Sequence, residues 1–181
     1  MAARVHITGA AGSGTSSLGE RLADRLGVTH LDTDQFYWAE SDPPYTVKRR
    51  PAERLALMEA AKEPDGWVIS GSLDGWGEPA IAGADLIVFL TAPTPIRLAR
   101  LRKREAARFG TRIRKGGDME ANHGSFLTWA AGYDDPYFSG RSLSRHHEWL
   151  AGRSEPVLEL SGTRPLDELL AECVSALGMK P

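Results

Sequence analysis

An α/β fold, a parallel sheet covered by helices on both faces, is what this sequence of 181 residues predicts. Two observations carry that reading. Short, nearly continuous apolar runs alternate with stretches of helical spacing along the chain, the pattern of strands buried on both faces. The first such run, Val5-His6-Ile7, leads into a glycine-rich turn, Gly9 to Gly14, that opens a helix.

The elements follow in order. Arg4–Thr8 reads as the first strand, and Ser16–Leu26 as a helix with Leu18, Leu22 and Leu26 on one face. Gly27 suits a left-handed cap that closes it. Val28–Asp32 is a second short strand, and Pro51–Lys62 has helical spacing through Leu55, Met58 and Ala61. Trp67-Val68-Ile69 is a third strand, Asp85–Leu90 a fourth, and Pro93 or Pro95 opens an arginine-rich helix. Pro156–Leu160 is a fifth strand and Pro165–Leu177 a closing amphipathic helix. The polar, glycine-rich stretch 110–140 shows no clear strand and reads as a lid.

Composition bounds the function. The length suits one domain over residues 1–181, and 41% hydrophobic content is ordinary for a globular chain. A formal charge of −2 provides no global attraction to nucleic acid, so anion binding has to be local. Cys173 is alone, which excludes an internal disulfide, and it falls in an apolar helical pattern that places it in the core. No apolar run reaches membrane-spanning length and the amino terminus lacks a charged-then-apolar leader pattern, so a cytoplasmic protein is expected.

The turn carries the chemistry. Gly9-Ala10-Ala11-Gly12-Ser13-Gly14-Thr15-Ser16-Ser17 fits G-x-x-x-x-G-K-[ST] at every position except the lysine, where Thr15 stands. Gly9, Gly12 and Gly14 permit backbone torsions that aim successive N–H groups at a phosphate, and the following helix adds its positive end. Ser16 takes the slot of the hydroxyl that meets Mg²⁺. The absent lysine removes one cation from the β- and γ-phosphates.

Other candidates gather at the carboxyl ends of the strands, where ligands of open parallel sheets bind. In Asp32-Thr33-Asp34, one carboxylate would serve Mg²⁺, assigned to Asp32, and the other would take a proton from an acceptor hydroxyl, assigned to Asp34. Phe36-Tyr37-Trp38 supplies flat surfaces beside them. On the arginine helix, Arg97, Arg100 and Arg104 are spaced to share a face, and Arg100 and Arg104 are the candidates to grip phosphate oxygens or stack on a base. Arg141 and Arg145, four apart, would share a helical face beyond the lid and replace the missing lysine's charge. Lys48-Arg49-Arg50, Arg54, Asp74 and Trp76 are candidates to line an acceptor pocket. His146-His147 diverge on a helix and lack partners at ligand spacing, so no metal site is expected there.

With these residues in hand, the chain resembles the P-loop kinase superfamily, near the nucleoside monophosphate kinases. More closely it resembles adenylate-kinase-like proteins often labelled DNA topology modulation (FlaR-related) proteins. The shared elements are the Gly9 loop, Leu31-Asp32-Thr33-Asp34 with Trp38, Trp67 to Ser72, Phe89-Leu90, Arg97–Arg104, Phe126 to Ala130, Tyr133-Asp134 and Arg141-Ser142. That resemblance implies a three-layer P-loop NTPase fold with five parallel strands in the order 2-3-1-4-5. It further implies an acceptor-covering insertion at about 35–65 and a lid at about 110–140, with ATP as donor and Mg²⁺ as cofactor. By the same analogy Arg100 stacks on adenine and Arg104 contacts phosphates. The Gly-Thr-Ser loop variant also occurs in archaeal-type cytidylate kinases. The Asp-Gly-Phe-Pro-Arg acceptor motif of adenylate kinases is absent, and Ser70 to Gly75 stand there. The function expected is an ATP-dependent phosphotransferase moving the γ-phosphoryl group to a small acceptor, the alternative a catalytically weak nucleotide-binding regulator. No basic groove or reading helix supports nucleic-acid binding.

Overall fold

Ala3–Gly9 forms the central strand β1, and all but one of its seven residues are buried. Parallel neighbours flank it: β3 (Gly66–Ser70) on one side and β4 (Leu86–Thr91) on the other. β2 (Thr29–Asp32) pairs with β3, and β5 (Val157–Ser161) with β4, both parallel. The resulting sheet has five strands in the order β2-β3-β1-β4-β5, as the sequence led us to expect. The structure, a computed structural model, describes residues 3–179.

Helices supply the crossovers that parallel strands require. α1 (Thr15–Leu26) follows β1, while α2 (Thr33–Tyr37) and α3 (Pro51–Ala61) follow β2. After β4 come α4 (Thr94–Phe109), α5 (Glu120–Ala131) and α6 (Leu143–Ala151), and α7 (Leu166–Ala176) ends the described chain. Two compact units result. One holds the described residues of Met1–Gly9, Gly14–Thr91 and Arg153–Pro181, hence every strand with α1, α2, α3 and α7. The other holds Ala10–Ser13 and Ala92–Gly152, hence α4, α5 and α6.

In the sheet unit the core follows the period of two along each strand. Val5, Ile7, Val68, Leu86, Val88, Leu90 and Leu160 form one cluster with Leu18 and Leu22 of α1 and Leu169, Cys173 and Val174 of α7. Each such fully buried aliphatic side chain contributes ~1.5–3 kcal/mol relative to exposure. His6, Ile69, Ile87 and Phe89 occupy the alternate positions and are also buried. Gly27 closes α1 in the left-handed conformation (φ 67°, ψ 37°), and Val28 N–H reaches back to the Ala23 carbonyl at 3.1 Å, which satisfies carbonyls the helix end exposes.

Two regions depart from the sequence reading. The stretch 110–140 holds no strand, as expected, but it does hold a helix that the sequence reading did not place, α5, with short 3-10 turns at Gly110–Ile113 and Gly132–Asp134. Helix α5 buries only Ala130, so its apolar residues form no stripe, and interior Gly124 weakens the local signal further. Arg141 and Arg145 do not share a helical face. Ser142 caps α6, its Oγ accepting the Arg145 N–H, so Arg141 precedes the helix.

Candidate functional site

The loop after β1 is built by two glycines rather than three. Gly12 (φ 83°) and Gly14 (φ 109°) take positive φ values that other residues resist. Gly9 does not: it ends β1 in register with Leu90, so its glycine torsional freedom is not used. Ser13 N–H donates to the Ala10 carbonyl at 3.0 Å and folds the crown into a turn. Gly14 is the N-cap of α1 with no side-chain cap, and the first turn holds no acid. The helix therefore begins with bare amides and a positive dipole end, an anion-binding arrangement. Ser13 Oγ is buried and has no partner among the described residues.

Within the sheet unit, Ser16 Oγ donates to Asp32 Oδ2 at 2.7 Å, which joins the start of α1 to the end of β2. Asp32 also accepts the Asp34 N–H through Oδ1 at 3.0 Å and thereby caps α2. Asp34 is exposed on the first turn of that helix. Behind this pair, His30 Nε2 lies 2.9 Å from Ser70 Oγ. Gly19 permits that packing, since a β-carbon there would stand 2.6 Å from His30 Nε2. Burial lowers the His30 pKa, while Asp32, Glu20 and Asp24 pull it back.

Ser16 and Asp32 suit a metal bound chiefly through nucleotide phosphates. Together they offer a hydroxyl and a carboxylate, hard oxygen donors of the kind Mg²⁺ takes. Among the described residues no group of three or more His, Cys, Asp or Glu side chains could hold a metal alone.

The other unit carries the arginines. Arg100 Nη1 lies 3.4 Å from the Gly12 carbonyl and 3.3 Å from that of Ser13, so it engages the loop crown itself. Arg104 pairs with its neighbour Glu105 at 3.2 Å. The Arg141 guanidinium lies 5.0 Å from the Trp129 ring centre, and Arg145 donates to the Ser139 carbonyl at 3.4 Å. Sequence reasoning missed the role of Arg97, which is 0% exposed and bonded to the crown. The sign available was its i, i+4, i+8 spacing with Leu101 and Glu105, the buried face of α4. His146 is buried with Nδ1 at 2.6 Å from Tyr133 Oη, an internal hydrogen bond.

The segment between β2 and α3 forms an aromatic and cationic patch in the sheet unit. Trp38 bridges Lys48 in antiparallel fashion, and the Tyr37, Trp38, Tyr45 and Trp76 rings meet edge to face. Arg54, 7% exposed, stacks with its guanidinium 3.7 Å from the Tyr37 ring centre, and its Nε donates to the Arg49 carbonyl at 2.8 Å. Its terminal nitrogens have no protein partner among the described residues. Arg49 is spent on the Gln35, Phe36 and Trp38 carbonyls.

A glycine loop between a central parallel strand and a helix, with a hydroxyl–carboxylate pair at its exit, defines a kinase-like P-loop fold. Comparison with known proteins agrees. A family model described as an AAA domain (AAA_18) matches residues 5–120, and the chain belongs to this family, within the P-loop kinase superfamily. The uncharacterized protein YqaC of Bacillus subtilis is 41% identical over 93% of each chain. A cytidylate kinase of Methanoregula boonei is 29% identical over 54% of this chain and 59% of its own. Shikimate kinase of Bacteroides thetaiotaomicron shares the fold, with a TM-score of 0.59 at 14% identity over 98% of this chain and 99% of its own. No helix among the described residues is long and apolar enough to cross a membrane.

Proposed function

We propose that this protein is an ATP-dependent kinase that transfers the γ-phosphoryl group to a small acceptor bearing an anionic group. One observation carries the reading: the open amide turn at Gly12 and Gly14 leads into an uncapped helix start beside the 2.7 Å Ser16–Asp32 pair. The residues from Gly9 to Ser17 would cradle the triphosphate. Ser16 and Asp32 would hold Mg²⁺, which supplies charge neutralisation on the phosphates when bound. Arg100 and Arg104 would act on the nucleotide, and Arg141 and Arg145 would add the charge that Thr15 does not.

The acceptor hydroxyl oxygen forms a bond to the γ-phosphorus, the bond to the β–γ bridging oxygen breaks, and Asp34 accepts the hydroxyl proton. Its exposed side chain stands on the first turn of α2, the helix that Asp32 caps. The unspent terminal nitrogens of Arg54, stacked on Tyr37, support an acceptor with a phosphate or carboxylate. The cytidylate and shikimate kinases to which the chain is similar support a small-molecule acceptor.

Asp34→Asn tests the assignment. Phosphoryl transfer should fall by about 10²–10⁴-fold while ATP still binds; undiminished turnover would refute the role. Thr15, in the lysine slot, favours a second reading, a nucleotide-binding regulator with little turnover. Screening phosphorylated and carboxylated alcohols, nucleosides and nucleotides for ADP release with Mg-ATP decides between the two.

A further inference from the structure

Among the described residues Arg97 is the most enclosed charged side chain, at 0% exposure. A guanidinium removed from water is costly unless its donors are met, and here every nitrogen is used. Nε donates to the Ala92 carbonyl at 3.0 Å. Nη1 donates to the Ala11 carbonyl at 3.3 Å and the Ala130 carbonyl at 3.1 Å. Nη2 donates to Thr94 Oγ1 at 2.6 Å and pairs with Asp134 at 3.6 Å. The Tyr133 ring centre lies 4.9 Å from the guanidinium carbon, and Thr94 Oγ1 also bonds Asp134. One side chain thus joins the loop crown, the start of α4, the end of α5 and the turn Gly132–Asp134.

We propose that Arg97 is a positioning residue that holds the phosphate loop, from behind, in its anion-binding shape. The inference rests on the nucleotide-binding reading above. In a trans peptide the carbonyl and the following N–H point in opposite directions. Fixing the Ala11 carbonyl to Arg97 therefore turns the Gly12 N–H away from α4. Arg100 does the same for the carbonyls of Gly12 and Ser13, and the intervening Ser13 N–H is consumed by Ala10. In the crown the Gly12 and Gly14 amides remain to meet an anion, next to the bare amides that open α1. The fit is close, since a β-carbon on Gly12 would stand 2.7 Å from the carbonyl oxygen of Arg97. In a loop whose lysine slot holds Thr15, affinity depends more heavily on amides already in place. The Arg97 donors are all engaged within the protein. The residue acts through the backbone it braces.

Arg97→Lys keeps the charge and loses the planar fork, so it cannot reach three carbonyls at once. Calorimetric titration with inorganic tripolyphosphate and with ATP should show at least about a tenfold loss of affinity, and the Gly12 and Gly14 amide resonances should shift. Leu101→Ala, on the same buried face, is the control: it should lower the melting temperature and leave affinity unchanged. Binding by Arg97→Lys equal to wild type, with unmoved glycine resonances, overturns the proposal and leaves the nucleotide reading standing. A wild type that binds neither probe overturns both. Should Arg97→Lys not fold, Asp134→Asn removes one anchor at a half-exposed position. About a threefold loss of tripolyphosphate affinity with shifted glycine resonances supports the proposal, and no change in either sinks it.

Discussion

Acid should destabilise this protein through one histidine in the strand that delivers the loop. His6 is 1% exposed on β1, with Nδ1 3.2 Å from the Ile69 carbonyl, so the neutral ring serves as donor. Burial lowers its pKa from 6.5 to about 4, with Arg153 adding to the shift and the Ile69 bond opposing it. Between those values the denatured chain takes up a proton that the native state refuses. The stability His6 contributes is therefore complete above pH 6.5 and drains away as the pH falls toward about 4. The difference of about 2.5 pH units is worth about 3 kcal/mol, at 1.36 kcal/mol per unit. His6→Gln can offer an amide N–H in the same place without titrating. Urea unfolding of both proteins at about pH 7.5 and about pH 4.5 should show wild type losing roughly 2–3 kcal/mol more than the variant. Equal losses would show that His6 is not the group responsible, and that its burial is relieved by a movement of the strand.

Two further outcomes follow from burial and backbone geometry. Gly12→Ala meets both a positive φ and the Arg97 main chain at 2.7 Å, so it should cost about 2–5 kcal/mol and abolish triphosphate binding; denaturant unfolding and calorimetry measure the two effects. The Cys173 thiol, its pKa pushed up to about 12 by burial, should resist alkylation in the native protein and react only on unfolding. Because the denatured thiol ionises first, stability should also fall as the pH rises above 9.0, which thermal melts in alkaline buffer would show.

The sheet was legible because its strands are buried on both faces and read as unbroken apolar runs between glycines and prolines. Trp67-Val68-Ile69 and the run ending Phe89-Leu90 left little room for another assignment. The loop and its Ser16–Asp32 partner were legible as well, since spacing alone brings them to the same end of β1 and β2. Helix α5 was not, because its half-buried Phe126, Leu127 and Trp129 and its buried Ala130 form no single apolar side. The α6 boundary was misplaced for a different reason. Ser142 bonds the Arg145 amide and starts the helix at Leu143, two residues beyond Arg141. Arg97 was read as one of several solvated or ligand-seeking arginines. Only the fold shows that carbonyls from three separate segments converge on it, and no one-dimensional pattern encodes that convergence.

The short lead from Pro93 to Arg97 carries a constraint on how related sequences can diverge. Arg97 N–H bonds the Pro93 carbonyl, which sets the angular phase of α4 at its first turn. One residue gained or lost there would swing the following side chains by about 100°, taking the fork off Ala11. A change at the lysine slot of the turn is tolerable so long as that phase persists. Indels should thus be rarer between Pro93 and Arg97 than in the nearby 135–140 stretch, and the fixed Pro-to-Arg interval offers a marker for remote homologues built the same way.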